Sequence, residues 1–481
     1  MKKKKITIIL LGILVFSGLG VGAGNTQKSS LNQSIIFDEY DMVIIAPDEF
    51  SASIQPLIDH KNSHSVKTFL KTTEEIYSEY NGCDVAEEIK LFIRDAVEQW
   101  SIRYVMLVGG KNETPVRYST IYLRNKTNSF YPVQMLKSSV ISDSYISDLY
   151  YADIYDGDGK FCTWDSNNNG IFGEMDDNEI IDQVDLYPDV YIGRLLCYTP
   201  SEVTIVVKKI IDYETTTYGK NWFENLILCG GDTFPYTYEE VIVKLIFKII
   251  IGVNCRVAWE GEYLCNEVEK CLKNFQTKKI YASSLLGIRY DKLTSDNINS
   301  AINDGAGFLL FATHGSTDEI VTHFPFSKKW LPSPDGYHTT EIEKLTNKDK
   351  LPVAVFCACL CGDFNSVEKP IAWAFVQHEN GGAIASFACT TDGNAWPTTY
   401  TTKSLMSLIA FNVFKAYADG IDTIGEVWGE AITKYLNDED AWRFELSAWD
   451  HYLTLEEWIL FGDPSLKIGG YNQGPTCFTF L

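Results

Sequence analysis

The sequence predicts an α/β fold built on a mostly parallel β-sheet. Short apolar runs, typical of buried strands, alternate with amphipathic stretches of helical period. In the first part of the chain, strand candidates at 41–47 and 103–110 flank a helix candidate at 85–102. The apolar runs are continuous rather than alternating, which indicates a sheet that helices cover on both faces.

A second α/β series begins at 225–231 and has the same pattern. Its further elements are strands at 254–260, 307–315, 351–359 and 381–390, helices at 238–250, 295–305 and 368–379, and a closing strand and turn at 458–468. We divide the chain into an N-terminal α/β subdomain (38–219) with a polar, acidic loop region (111–187), a second α/β subdomain (220–468) and a C-terminal tail (469–481). The pattern leaves open whether the two series form separate subdomains or one continuous sheet.

The first 24 residues have the features of a secretory signal peptide. Four lysines precede an apolar stretch that ends in small residues, and cleavage is expected near Ala23 or Gly24. The same stretch is long enough to span a bilayer, so an uncleaved membrane anchor is the alternative. Residues 25–37 are polar and are interpreted as a linker. The protein is therefore predicted to be secreted or extracytoplasmic.

The charge balance excludes some partners. The 481 residues carry a formal net charge of −23, which becomes −27 when the four lysines of residues 1–24 are removed. Such a surface repels nucleic acid, so a nucleic-acid partner is not expected. The charge favours basic peptides and divalent cations, although a generic acidic secreted protein has the same balance. The twelve cysteines include no C-x-x-C pair, which argues against a zinc ribbon.

Two strand candidates of the second series end in chemistry-bearing residues. The run 307–315 ends with His314 next to its last glycine, and the run 351–359 ends at Cys359. In open α/β sheets, sites form outside the carboxyl ends of the strands. A thiol becomes a good nucleophile when an imidazole within reach accepts its proton. If the two strands are neighbours, His314 and Cys359 would form a catalytic dyad.

Three cysteines stand at alternate positions here, Cys357, Cys359 and Cys361. The strand is expected to end near Cys359, because Gly-Asp follows at 362–363, and this position favours Cys359 as the nucleophile. Gly315 has no side chain, so its N–H is suited to form an oxyanion hole with the Cys359 N–H. The alternative is that the histidine and the cysteines are ordinary core residues. The other histidines, including His323, have no paired spacing and are interpreted as surface or packing residues.

The surroundings of the pair resemble the gingipain-type cysteine peptidases of the caspase-like fold group. The family has Gly-His-Gly-Ser after an apolar strand, and residues 313–316 read Thr-His-Gly-Ser, which differs at the first position. The family's Ala-Cys-x-x-Gly-Asp-Phe is matched in full by residues 358–364. Segments 188–195 and 460–466 also resemble family segments, so the resemblance covers about 38–468. It implies a caspase-like α/β/α sandwich with two α/β subdomains.

The resemblance assigns the nucleophile to Cys359 and implies roles for other residues. The family's histidine is oriented by an acid that follows the first strand of the second subdomain, and Asp232 has that place; a turn or N-cap aspartate is the alternative. A tryptophan walls the family's primary specificity pocket, and Trp396 corresponds to it. Arginine- and lysine-specific members bury a carboxylate in that pocket. Glu239 and Glu240 are candidates for it, although they also suit an ordinary helix start.

The stretch 165–176 matches the template of a calcium-binding loop. Asp165, Asn167 and Asn169 stand at positions 1, 3 and 5, the Ile171 carbonyl at position 7 and Asp176 at position 12, with Gly170 at the sharp turn. Hard oxygen ligands at this spacing favour a structural Ca²⁺ ion. A solvated loop of Asx-turns is the alternative.

The sequence thus favours a secreted, calcium-stabilised cysteine endopeptidase. Its partners would be protein or peptide substrates, and a basic residue before the scissile bond is the preference that the resemblance implies. A membrane would be a partner only through an uncleaved N-terminal segment. The competing hypothesis is a non-catalytic, calcium-binding extracellular adhesion or binding protein on the same scaffold.

Overall fold

The structure, a computed structural model, describes residues 39–123, 141–176, 179–235, 258–287, 290–332, 336–443 and 447–472. These residues belong to one compact unit. The predicted signal peptide, the linker, the helix at 238–250 and most of the C-terminal tail lie outside the described residues. Strands and helices are numbered below in chain order.

One long sheet runs through the unit. Its strands are β1 (Met42–Ala46), β2 (Thr68–Thr72), β3 (Tyr104–Val108), β7 (Tyr191–Leu195), β8 (Asn225–Gly230), β9 (Gln276–Tyr281), β10 (Asp291–Lys292), β11 (Phe308–Ala312), β16 (Val353–Cys357), β17 (Ala385–Cys389) and β18 (Trp458–Phe461). The order across the sheet is β10-β9-β8-β11-β16-β17-β18-β7-β3-β1-β2. All neighbours are parallel except β17 and β18.

Helices account for most connections between these strands. They are α1 (Ser51–Ser63), α2 (Thr73–Glu79), α3 (Val85–Trp100), α4 (Pro200–Thr216), α5 (Glu260–Cys271), α6 (Ser295–Asp304), α7 (Thr339–Ile342), α8 (Ile371–Gln377), α9 (Leu405–Ala418), α10 (Ile424–Leu436), α11 (Glu439–Trp442) and α12 (Ala448–Glu456). Every residue of β1, β3, β11 and β16 is buried, so both faces of the sheet are covered, as the continuous apolar runs predict. None of the helices in the described ranges has the length and apolar character needed to cross a membrane.

The last strand joins the two predicted series. β18 is hydrogen-bonded to β17 of the second series on one side and to β7 of the first series on the other. Gly193 in β7 makes this possible, because a Cβ atom there would lie only 2.4 Å from the Gly462 carbonyl oxygen. Both series therefore contribute to one continuous sheet.

Two smaller sheets flank the main one. Their strands are β4 (Tyr118–Leu123), β5 (Ile141–Ile146) and β6 (Phe172–Asp176) in one sheet, and β12 (His314–Gly315), β13 (Glu319–His323), β14 (Trp330–Leu331) and β15 (Tyr337–His338) in the other. The region 111–187 was expected to be a surface loop, but it contains the first of these sheets and buried tyrosines. The fully buried Arg194 side chain of β7 anchors it through Asp148, with an Nε–Oδ2 distance of 2.7 Å.

Two further differences from the sequence-based elements concern the second series. The strand expected at 254–260 is absent from its described part, 258–260, because α5 begins at Glu260. β9 was not predicted, since its sequence QTKKIY lacks an apolar run and only its last two residues are buried. The register of the strands around the candidate site is unaffected.

Candidate active site

The carboxyl ends of β11 and β16 form the centre of the candidate active site. These strands are parallel neighbours, and their last paired residues are Ala312 and Cys357. His314 and Cys359 each follow two residues later. The Thr313 N–H donates to the Cys357 carbonyl at 3.2 Å, which keeps the two chains side by side beyond the strands. The strands end earlier than the sequence predicts, yet the two residues leave the sheet at the same edge.

Gly315 lies directly against the turn that carries Cys359. A Cβ atom at Gly315 would be 2.9 Å from the Cys359 carbonyl oxygen and 2.5 Å from the Cys361 Sγ. These distances leave no room for a side chain, so the close approach requires glycine. In the described part of the chain, the Cys359 N–H has no hydrogen-bond acceptor, which is the state that an oxyanion donor needs.

The three cysteines of the predicted nucleophile segment differ in accessibility. Cys357 and Cys361 are buried, whereas Cys359 is partly exposed. The Cys359 thiol donates to the Gly393 carbonyl at a sulfur–oxygen distance of 3.5 Å. Burial of the sulfur, followed by the nearby carboxyls of Asp392 and Glu457, raises the pKa of Cys359 to about 12. The free protein therefore holds a neutral thiol at physiological pH.

The His314 imidazole is held by the main chain. Its Nε2 lies 2.8 Å from the Thr233 carbonyl oxygen, and a carbonyl only accepts, so Nε2 carries the proton and Nδ1 carries the lone pair. Burial lowers the pKa of His314, and the bond to Thr233 partly opposes this effect. The imidazole is accordingly neutral near pH 7, with one nitrogen ready to accept a proton.

Asp232 does not hold the imidazole through its carboxylate in the described part of the structure. Its Oδ2 accepts from the Phe326 N–H at 3.4 Å, and its main chain exchanges two hydrogen bonds with His323, at 3.3 and 3.2 Å. Burial and then the neighbouring Glu260 raise the pKa of Asp232 to about 8. Asp232 thus positions the segment whose next residue, Thr233, contacts His314.

The predicted pocket residues are only partly described. Trp396 is half-buried in the segment after β17, the same segment whose Gly393 carbonyl faces the Cys359 thiol. Glu239 and Glu240 lie outside the described residues. Sequence reasoning missed Glu260, whose buried carboxylate accepts from the N–H groups of Phe234 at 3.2 Å and Thr398 at 2.6 Å. The only sequence signal for it was an acid at the start of an unrecognised helix.

Two aromatic residues next to His314 were also missed. The rings of His323 and Trp330 are stacked at 3.6 Å, and both lie edge-on to the His314 ring, with centroid distances of 5.6 and 5.4 Å. The residues face each other across the β13–β14 pair. The positions of His323 and Trp330 in the sequence did not predict this contact, because it forms only when β13 and β14 pair as a hairpin.

The predicted calcium loop gathers polar side chains around Glu174. The Asn167 and Asn169 side-chain amides donate to Glu174 Oε2 at 3.1 and 2.8 Å, and Asp165 Oδ1 accepts from the Asn169 N–H at 3.0 Å. Asp176, the expected ligand at position 12, lies in β6 and accepts from a main-chain N–H instead. Among described residues, no group of three or more His, Cys, Asp and Glu side chains is arranged to hold a metal. The loop offers a mixed set of carboxylate and amide groups.

A parallel-rich sheet covered by helices, with a histidine and a cysteine at the carboxyl ends of adjacent strands, is the caspase-like arrangement. The sequence model of peptidase family C25 matches residues 36–469. The chain belongs to this family. The resemblance and the caspase-like α/β fold predicted from the sequence are confirmed.

Individual relatives are distant. Gingipain R2 and Gingipain R1 of Porphyromonas gingivalis are each 22% identical over 447 residues, which cover 89% of this chain but 46% and 34% of those proteins. The chain thus spans less than half the length of these relatives. The crystal structure of gingipain R, an Arg specific cysteine proteinase, superposes with a TM-score of 0.58 at 18% identity, over 89% of this chain and 78% of that chain. At this identity the superposition shows a shared fold.

The raised pKa of Cys359 predicts its labelling behaviour. Iodoacetamide should modify Cys359 ahead of the buried Cys357 and Cys361 in the folded protein. Because only the thiolate reacts, the labelling rate should keep rising with pH beyond about pH 9. Peptide mass spectrometry after timed labelling measures this rate for Cys359 at each pH. The exposed Cys83 is followed separately, because its pKa is also raised, to about 11. A rate that levels off near neutral pH, or preferential labelling of Cys361, would contradict the analysis.

Proposed function

We propose that the protein is a secreted cysteine endopeptidase in which Cys359 is the nucleophile and His314 the acid–base group. The observation that carries this proposal is the register of β11 and β16. Their last paired residues lie two positions before His314 and Cys359, so both side chains follow the strands at the same edge of the sheet. The close contact of Gly315 with the Cys359 turn supports the same arrangement. Membership of peptidase family C25 adds independent support.

The reaction begins from two neutral groups. When a peptide binds, Nδ1 of His314 takes the thiol proton while the Cys359 Sγ forms a bond to the scissile carbonyl carbon. The resulting imidazolium keeps its Nε2–H bond to the Thr233 carbonyl, whose partial negative charge stabilises it. The imidazolium then gives its proton to the leaving amine as the C–N bond breaks. Water hydrolyses the thioester and restores the thiol.

The negative charge that develops on the substrate oxygen needs a donor. The Cys359 N–H, which has no acceptor among described residues, is suited to this role. The Gly315 N–H is the second proposed donor. Because Gly315 has no side chain, its backbone lies directly against that of Cys359. Such preorganised N–H groups typically contribute about 10²–10³ in rate each.

We infer a preference for a basic residue before the scissile bond. Trp396 stands in the segment that faces Cys359, and the buried Glu260 carboxylate binds the Thr398 N–H two residues further on. Burial raises the pKa of Glu260, and an incoming guanidinium or ammonium group would favour its charged form. Glu239 and Glu240 remain candidates for the same role. The acidic surface and the Arg specific relative agree with this preference.

A structural Ca²⁺ site in the loop 165–176 is a second proposal. Asp165, Asn167, Asn169 and Glu174 contact one another there. To bind the ion, the two amide oxygens would have to leave the main-chain N–H groups from which they now accept. Ile171 would add its carbonyl. Asp176 is a candidate ligand because it stands at position 12 of the calcium-loop template. To bind the ion, its carboxylate would have to give up the hydrogen bond that it accepts from the Glu179 N–H. The ion would offset the mutual repulsion of the carboxylates and order the loop.

The endopeptidase proposal predicts the behaviour of three variants. Cys359→Ala should abolish cleavage of arginyl and lysyl fluorogenic peptides, and His314→Ala should lower kcat/KM by at least about 10³-fold. Cys83→Ala, a cysteine substitution at an exposed position, should retain full activity. Cleavage that survives Cys359→Ala would overturn the assignment. A wild-type protein that cleaves no peptide would favour the adhesion or binding protein instead.

Calcium should stabilise the folded protein. At 100 times its dissociation constant, Ca²⁺ adds about 2.7 kcal/mol, which corresponds to a rise in Tm of several degrees. Differential scanning fluorimetry with CaCl₂ and with EGTA measures this shift. The double variant Asp165→Ala, Glu174→Gln should lose it, whereas Asp212→Asn on α4 should keep it. An equal Tm with and without calcium would reject the site.

A further inference from the structure

A basic and aromatic patch lies beside the candidate active site. It consists of Lys328, Lys329 and Trp330, all of which are exposed in a chain whose net charge is −23. Neither lysine forms an ion pair with any residue that the structure describes. Trp330 is 48% exposed, so part of its indole is open to a ligand beside His314.

The indole of Trp330 has a fixed position relative to His314. One face of the indole stacks on His323 at 3.6 Å, and its ring lies 5.4 Å from the His314 ring at an angle of 84°. His323 is also buried and packs edge-on against His314. The two rings therefore support the imidazole on one side, and the remaining surface of the indole continues outward from it.

The loop that carries the patch is tied to the active-site framework. The Phe326 N–H donates to the Asp232 carboxylate, and the Phe324 N–H donates to the Lys329 carbonyl at 2.8 Å. Asp232 also pairs with His323 through the main chain and precedes Thr233, the acceptor for the imidazole. The patch and His314 are thus held by the same short segment, which fixes the patch near the reacting groups.

The chemistry defines which part of a substrate passes over this patch. The acid that protonates the leaving amine has to lie within hydrogen-bond distance of it, so that amine sits at His314. The residues that follow the scissile bond therefore leave the active site from His314, past the neighbouring Trp330. We propose that Lys328, Lys329 and Trp330 form a subsite for these leaving-group residues. This inference rests on the proposed endopeptidase function.

The residue types define the ligand. The open indole takes an aromatic or large apolar side chain at one of the first two positions after the scissile bond. The two lysines, which have no ion-pair partner in the described part of the chain, favour an acidic side chain beside it. The preferred substrate is accordingly a segment in which an aromatic and an acidic residue directly follow the cleavage point. Screening makes the charged part of this preference weaker at high salt.

The test compares internally quenched peptides that are identical before the scissile bond and differ only in the two residues after it. The pairs are Phe-Glu, Gly-Glu, Phe-Lys and Gly-Lys, and a coumarylamide with no following residue serves as the reference substrate. We expect the wild-type protein to cleave Phe-Glu with a kcat/KM roughly 10-fold above that of Gly-Lys. Comparing substrates within one protein cancels differences in the amount of active enzyme.

Variants separate the two parts of the subsite. Trp330→Ala should bring the ratio of kcat/KM for Phe-Glu to kcat/KM for Gly-Glu to within about 2-fold of unity. Trp330→Phe should keep most of this Phe preference. The double variant Lys328→Glu, Lys329→Glu should reverse the charge preference, so that kcat/KM becomes higher for Phe-Lys than for Phe-Glu. Tyr218→Ala, an equally drastic change at a 55% exposed aromatic residue after α4, should leave both ratios as in the wild type.

The outcomes distinguish this inference from the proposed function. If the wild type cleaves the coumarylamide but shows no preference after the scissile bond, the subsite is overturned and the endopeptidase stands. A Phe preference that survives Trp330→Ala overturns it equally. A wild-type protein that cleaves neither the coumarylamide nor any peptide overturns the proposed function and the subsite together.

Discussion

The parallel register of β11 and β16 is the constraint on which the rest of the candidate site depends. It pairs Ala312 with Cys357, so that the next residues of both chains leave the sheet at one edge. Gly315 then brings the two chains into contact, at a distance that only a glycine allows. A shift of one residue in either strand would turn His314 or Cys359 toward the opposite face. The buried apolar strands therefore contribute to function through register as well as through stability.

The imidazole is oriented by a neutral group rather than by a carboxylate among the described contacts. The Thr233 carbonyl fixes the tautomer, and burial disfavours charge on both the imidazole and the thiol. In the proposed reaction, the pair stays uncharged until a substrate excludes water and supplies an electrophile. Asp232, His323 and Trp330 support this arrangement from the β13–β14 side. The same residues connect His314, the proposed acid–base group, to the surface over which the leaving peptide is proposed to pass.

Much of the framework could be predicted because it is encoded locally. Continuous apolar runs predict the strands, and the carboxyl ends of these strands indicate that His314 and Cys359 lie at one edge of the sheet. β9 was missed because a lysine-rich strand near the sheet edge has no apolar run. Thr233, Glu260 and Trp330 could not be found in this way, since their roles depend on main-chain atoms or on contacts between distant segments. The loop 165–176 shows an intermediate case, in which the spacing located the polar cluster but not the part played by Glu174.

The most direct test of the central claim measures whether His314 responds to a charge on Cys359. In a Cys83→Ala background, iodoacetate would place a carboxylate on the Cys359 sulfur, and iodoacetamide would place a neutral amide of similar size there. NMR titration gives the pKa of the His314 imidazole in both forms. Adjacency predicts a pKa higher by about one unit or more in the carboxymethyl form. The same pKa in both forms would contradict the account, because it would mean that the two side chains do not share a site.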